Sequence, residues 1–142
     1  MAGEDARLAT VADARDVARL LHASNVELDT RTSRAEVLAE RLAALLVRED
    51  AFVVVAGSPP SAVALVTLRP HVLSGTAASL DELYVEPDAR RQGLGASVLE
   101  LVMAEAAALG ATVLEVVVRE VAVDAQRFCE RHGLPLVDVE SG

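Results

Sequence analysis

The sequence predicts an α/β fold in which a mixed central sheet is flanked by helices. Three observations carry this. Apolar residues recur in steps of three and four in separate stretches, the mark of helices with one buried face. Between those stretches stand short Val-rich runs of strand character, Ala51 to Ala56, Ala62 to Leu68 and Val113 to Val118. Finally, the connections differ in kind. Two runs joined across Gly57-Ser58-Pro59-Pro60 read as an antiparallel hairpin. A strand at Leu80 to Val85, a helix and a strand at Val113 to Val118 imply a parallel crossover.

Taken in order, Met1 to Asp5 form a loose polar end and Leu8 to Val11 a short first strand. Asp13 reads as an N-cap, with Asp16 near the positive end of the helix dipole and Val17, Leu20 and Leu21 on the apolar face. That helix fades near Asn25, and Glu27 to Thr32 make a polar connection. Ser33-Arg34-Ala35-Glu36 has the pattern of a capping box. It opens a second helix with Val37, Leu38, Leu42, Leu45 and Leu46 on one side. The hairpin follows and ends at Arg69-Pro70-His71, and Ser74-Gly75-Thr76 turns the chain into the central strand. The third helix carries Leu94, Val98, Leu101, Val102 and Leu109 and stops at Gly110. After Val113 to Val118 come a short helix, Asp124 to His132, ended by Gly133, and a last strand, Leu136 to Val139. The predicted order is β-α-α-β-β-β-α-β-α-β, a single domain over residues 1–142 without repeats or linkers.

Composition narrows the partners. The net charge is −9, which argues against nucleic acid or an anionic membrane as main partner. Aromatics make up only 2% of the chain while 52% is hydrophobic, so the core is aliphatic. The lone Cys129 excludes an intrachain disulfide and fits a reducing compartment. No signal-peptide pattern and no run of membrane-spanning length stand in the sequence, so a cytoplasmic protein is expected.

The stretch that organises the chain runs from Leu80 to Ala111 and contains Leu83-Tyr84-Val85-Glu86-Pro87-Asp88-Ala89-Arg90-Arg91-Gln92-Gly93-Leu94-Gly95-Ala96. It is a strand, a basic glycine turn and a helix start. Glycines let a backbone approach a ligand closely. The first helical N–H groups lack partners within the helix, and the dipole and two arginines add positive potential. Together these suit a phosphorylated ligand. A Walker A loop is excluded because the chain contains no lysine. A dinucleotide fingerprint is weak because Val98 stands where its third small residue belongs.

Arg90-Arg91-Gln92-Gly93-Leu94-Gly95, with its flanking strand and helix, resembles the coenzyme A signature of the GNAT N-acetyltransferase superfamily. The element order resembles that family almost end to end, except that its usual last strand is missing here. An open edge would then need cover, and a homodimer is the simplest one. The resemblance implies transfer of an acetyl group from acetyl-CoA to a primary amine of a small molecule or peptide, without a metal. It implies that Leu83, Tyr84 and Val85 pair with the pantetheine arm, and that Arg90, Arg91, Gln92, Gly93, Leu94, Gly95 and Ala96 bind the pyrophosphate. The N–H of Val85 would stabilise the oxyanion.

For the base, Asp81 and Glu82 are the nearest carboxylates. Strand alternation puts Glu82 with Tyr84 and Asp81 with Leu83 and Val85 on opposite faces. Glu82 is preferred, because the face of Leu83 and Val85 should be core; the alternative is a solvated strand-end charge. Where the family commonly has an Asn and a Tyr in the last helix, this chain has Ala122 and Cys129. Cys129 is thus the candidate proton donor to the leaving thiolate, or else a small core residue beside Phe128. Glu27 and Asp29 lie in the connection that borders the acceptor site in that family, where two acids would hold a cationic amine. His22, His71 and His132 read as surface or cap residues. A competing reading is a catalytically weak acyl-CoA-binding regulatory module, favoured by Ala122 and Cys129.

Overall fold

A run of six consecutive apolar residues, Ala51 to Ala56, is buried along its whole length, which requires cover on both faces of the sheet that contains it. The computed structural model, which describes residues 6–27, 34–73, 75–90, 93–116 and 136–138, supplies that cover. Six strands form one sheet: β1 (Ala6–Leu8), β2 (Ala51–Ala56), β3 (Ala62–His71), β4 (Gly75–Val85), β5 (Val113–Val116) and β6 (Leu136–Asp138), in that spatial order. The pairs β1–β2, β2–β3 and β3–β4 are antiparallel; β4–β5 and β5–β6 are parallel. Two helices, α1 (Ala14–Glu27) and α2 (Ala35–Leu46), stand between β1 and β2 in sequence, and α3 (Leu94–Ala108) joins β4 to β5.

Alternation along the strands sorts the core into two layers. Phe52, Val54, Ala64, Val66, Ala78, Leu80, Leu114 and Val116 pack with Val98, Leu99, Val102 and Met103 of α3. Val53, Val55, Val63 and Tyr84 pack on the other face with Val17, Leu20, Leu21 and Leu42 of α1 and α2. The expected class, a mixed sheet between helices, is the observed one.

Several boundaries differ from the sequence reading, each for a local reason. The first strand is Ala6–Leu8, not Leu8 to Val11, because Val11–Asp13 winds into a 3₁₀ turn leading to α1. Asp13 therefore sits inside that turn and not at its cap. Its carboxylate accepts the backbone N–H of Thr10 at 2.8 Å and pairs with both terminal nitrogens of Arg7, each at 2.9 Å. The Arg7 guanidinium holds the Asp13 carboxyl well below the usual range, at about 2, against the opposing effect of burial. A group depressed in this way adds stability that is present above its unfolded pKa and lost as pH falls through the folded one. Asp13→Ala is accordingly expected to cost about 1–2 kcal/mol at pH 7, the range for losing a capping acid. In urea titrations that deficit should shrink between pH 4 and pH 2; an undiminished deficit at pH 2 would assign it to packing instead.

The second helix has Arg34 as its N-cap, with no side-chain cap bond from it; the predicted capping residue Ser33 lies outside the described residues. The β3–β4 hairpin is longer than expected. β3 runs on through Pro70 to His71, and β4 begins at Gly75, so that Pro70 faces Thr76. The break at Arg69-Pro70-His71 is thus a strand end folded into the hairpin. The predicted helix 124–132, together with Val117, Val118 and Val139, lies outside the described residues.

Candidate functional site

β4 carries one irregularity, and it shapes the site. Leu65 of β3 pairs with Glu82 while the next residue, Val66, pairs with Leu80, so Asp81 is an extra residue in β4. Such a bulge shifts the phase of side-chain alternation. Before it, Ala78 and Leu80 face α3; after it, Leu83 and Val85 pack on that same layer. Glu82 and Tyr84 lie opposite Leu65 and Val63, on the α1/α2 face.

Asp81 lies on that face too. Its carboxylate accepts the Thr67 hydroxyl at 2.8 Å and the Ser79 hydroxyl at 2.6 Å, and Thr67 and Ser79 are themselves a cross-strand pair. Simple alternation, which puts Asp81 and Glu82 on opposite faces, is therefore wrong here, and the bulge is the reason. The apolar layer under α1 and α2 gives way past Leu65 and Tyr84 to a polar row, Thr67, Ser79, Asp81 and Glu82, which the ion pair of Arg69 with the buried Glu115 of β5 extends. Glu82 is half-buried. Burial, and then the neighbouring Asp81 charge, push its carboxyl above the ordinary range.

The main chain of β4 beyond the bulge has an equally definite direction. Glu86 donates its N–H to the Ser61 carbonyl at 2.8 Å, towards β3. Backbone groups of successive strand residues point alternately to the two sides. Those of Leu83 and Val85 thus point away from β3, to the side on which β5 lies. The described pairing with β5 reaches Leu80 and Val116. The Val85 carbonyl accepts Nε of Arg90 at 2.9 Å, and the Arg90 guanidinium lies over the Tyr84 ring, 5.7 Å from its centroid. Arg90 thereby fastens the turn to the end of the strand, a role that its place in a basic motif does not reveal. Arg19 of α1 anchors the same end, pairing with Glu86 at 2.6 Å and donating to the Pro60 carbonyl at 3.1 Å.

A 3₁₀ turn, Pro87–Ala89, then leads to α3. Gly93 is the N-cap residue of α3, with φ +79°, a conformation that side chains disfavour. The first helical bond runs from the Ser97 N–H to the Gly93 carbonyl. The N–H groups of Leu94, Gly95 and Ala96 therefore have no acceptor within the helix. At Gly95 an added Cβ would meet, among the described residues, only Val85 Cγ2, at the ordinary contact distance of 3.6 Å. These features fit a phosphate group. Arg91 and Gln92, Asp29 and Cys129 lie outside the described residues, and Glu27 is the last residue of α1.

A groove of about 740 Å³ lies elsewhere, between the Val11–Arg15 segment and the Ala35, Ala39 and Ala43 stripe of α2. It is lined mainly by small apolar side chains and is remote in sequence from the glycine turn and from Glu82. Among the described residues no group of three or more His, Cys, Asp or Glu is placed to hold a metal, and no helix is long and apolar enough to cross a membrane.

Residues 14–134 match the family model described as the acetyltransferase (GNAT) family. Among solved structures, the chain is similar to an assigned acetyltransferase of Arthrobacter sp. FB24, with 41% identity over 91% of this chain and 83% of that one, at a TM-score of 0.76. It shares its fold with the ribosomal-protein-alanine N-acetyltransferase of Brucella melitensis biovar Abortus 2308, with 22% identity over 89% and 88% of the two chains and a TM-score of 0.68. It also shares its fold with a Clostridium difficile 630 protein, with 17% identity over 95% and 92% of the two chains and a TM-score of 0.72. No curated protein matches the chain.

Proposed function

Because the chain belongs to the GNAT acetyltransferase family, whose co-substrate is acetyl-CoA, we propose that it moves the acetyl group by direct transfer to a primary amine of a small molecule or peptide. The observation that supports this reading most is the glycine-opened start of α3, which follows in sequence the end of β4, the strand that also carries the half-buried carboxylate of Glu82. In this reading the N–H groups at the start of α3, with Arg90, Arg91 and Gln92, take the pyrophosphate. The main-chain groups of Leu83 and Val85 take the pantetheine arm, those of Tyr84 being turned to β3, and the Val85 N–H points at the thioester oxygen.

The amine nitrogen attacks the thioester carbonyl carbon. Glu82 removes the proton that the nitrogen sheds as the C–N bond forms. The Val85 N–H stabilises the oxyanion, and the C–S bond then breaks. Cys129 is assigned to return a proton to the thiolate. Glu27 and Asp29, on the segment leaving α1, hold a cationic acceptor. A homodimer covering the outer edge of the sheet, where β6 stands among the described strands, completes the proposal.

A second reading, an acyl-CoA-binding regulatory module, is favoured by Ala122 and Cys129 standing where the family commonly has Asn and Tyr. Thiol release from acetyl-CoA with a panel of amines separates the two. An enzyme turns over with some of them, whereas a binder shows affinity and no amine-dependent release. The acceptor assignment has its own test. Glu27→Gln together with Asp29→Asn is expected to raise the amine KM several-fold, leave that for acetyl-CoA unchanged, and flatten the salt dependence of turnover. If amine KM and salt response both stay at wild-type values, these two acids do not touch the acceptor.

A further inference from the structure

The bulge leaves one acid, Asp81, that the proposed mechanism does not use. It is tied down more firmly than a solvated strand charge needs to be. Both of its oxygens are occupied, one by Thr67 on β3 and one by Ser79 on β4 itself, so the carboxylate bridges the two strands at the point where their register slips. Ser79 is buried. Were the bulge absent, Glu82 would fall on the α3 face among Leu80 and Ala64, and its carboxylate would be directed into an aliphatic layer. Building on the acetyltransferase reading above, we propose that Asp81 is a positioning residue for the base. Locked by Thr67 and Ser79, it fixes the bulge that turns Glu82 to the α1/α2 face and sets a stationary negative charge beside it.

The other charged groups around Glu82 do not duplicate that charge. On β3 and β5 the pair Arg69 and Glu115 is mutually engaged. Of the charged or titratable groups on α1, Arg15, Asp16, Arg19, His22 and Glu27, Arg19 is taken up by Glu86. Among the described residues Asp81 is the charged neighbour that pushes the Glu82 carboxyl up, in the same direction as burial does. A base held in this way is protonated more readily, so it accepts the amine proton with more driving force.

Two variants separate the charge from the clamp. Asp81→Asn keeps the shape and allows the two hydroxyls to re-pair, but removes the charge. Thr67→Val with Ser79→Ala keeps the charge but removes the clamp. The Glu82 carboxyl is titrated by carbon-detected NMR in each protein, a readout that does not depend on activity, and the pH profile of kcat/KM is measured beside it. In Asp81→Asn both the Glu82 midpoint and the acid limb are expected to move down by roughly half a pH unit or more. In the clamp variant kcat is expected to fall about tenfold, with the acetyl-CoA KM unchanged. A folded Asp81→Asn protein whose Glu82 midpoint stays put overturns the proposal, even if wild-type transfer is robust. A midpoint that moves while the acid limb does not also overturns it, and removes Glu82 as the base. Should Asn not be accommodated, Asp81→Ser, a hydroxyl among hydroxyls, carries the same expectation. Whether acetyl transfer occurs at all is read in the unmutated protein.

Discussion

Glu82→Gln is expected to lower kcat and kcat/KM together by about a hundredfold or more, with acetyl-CoA affinity intact, as loss of a general base does. The substitution keeps the side chain's size in its half-buried place opposite Leu65 and removes only the ability to take a proton. The fold is not expected to suffer. A carboxyl whose pKa is raised on folding binds its proton more tightly in the native state, so its ionised form weakens the fold as pH rises. The amide should therefore melt no lower than wild type at neutral pH. For the same reason the wild-type kcat/KM should decline with acidification at a pH above the ordinary glutamate value of 4.5, because the base works only when deprotonated. A stable Glu82→Gln protein with wild-type turnover would assign deprotonation to water.

The second large effect is expected at the glycine turn. Gly95→Val should weaken acetyl-CoA binding at least tenfold, about 1.4 kcal/mol, while the protein stays folded. The two halves of that expectation rest on different observations. Within the protein, among the described residues, a Cβ at Gly95 meets only Val85 Cγ2 at ordinary contact distance, and valine is a better helix former than glycine. Outside it, the side chain would fill the space before the N–H groups of Leu94, Gly95 and Ala96, where the pyrophosphate is placed. Gly95→Ala, adding the Cβ alone, should fall between. Gly93 is the poorer probe, since its φ of +79° makes any side chain cost about 1–2 kcal/mol in strain. Calorimetric titration of folded Gly95→Val with an unchanged dissociation constant would remove the phosphate assignment.

The layers of the fold were legible because periodicity reports burial. Leu20 and Leu21, Leu42, and Val98 with Val102 are all core residues as their spacing requires. The glycine turn was legible because a helix entered through a left-handed residue demands glycine at that place. The face of Asp81 departs from simple alternation because the bulge interrupts it within β4. The signal was nevertheless present in Ala78, Leu80, Leu83 and Val85. Their apolar phase changes from even to odd across two successive acids, the pattern that an inserted residue leaves in a strand. The clamp by Thr67 and Ser79 and the bond from Arg90 to the Val85 carbonyl were not legible. They depend on which residues the register brings opposite, and on a side chain folding back five positions. The start of β4 was placed at Leu80, although its ladder begins at Gly75, since Ala77 and Ala78 are small and carry little strand preference of their own.

The central claim, direct transfer from acetyl-CoA at the end of β4, is tested most directly by a single-turnover experiment. Acetyl-CoA with an isotopically labelled acetyl group is mixed with the protein and its best amine, and mass spectrometry follows the amine, the thiol and the protein together. The label is expected on the amine nitrogen in step with free thiol, with no acetylated protein preceding it. Label that appears on the protein before the amine, or acetyl-CoA that binds and is never consumed, would contradict it.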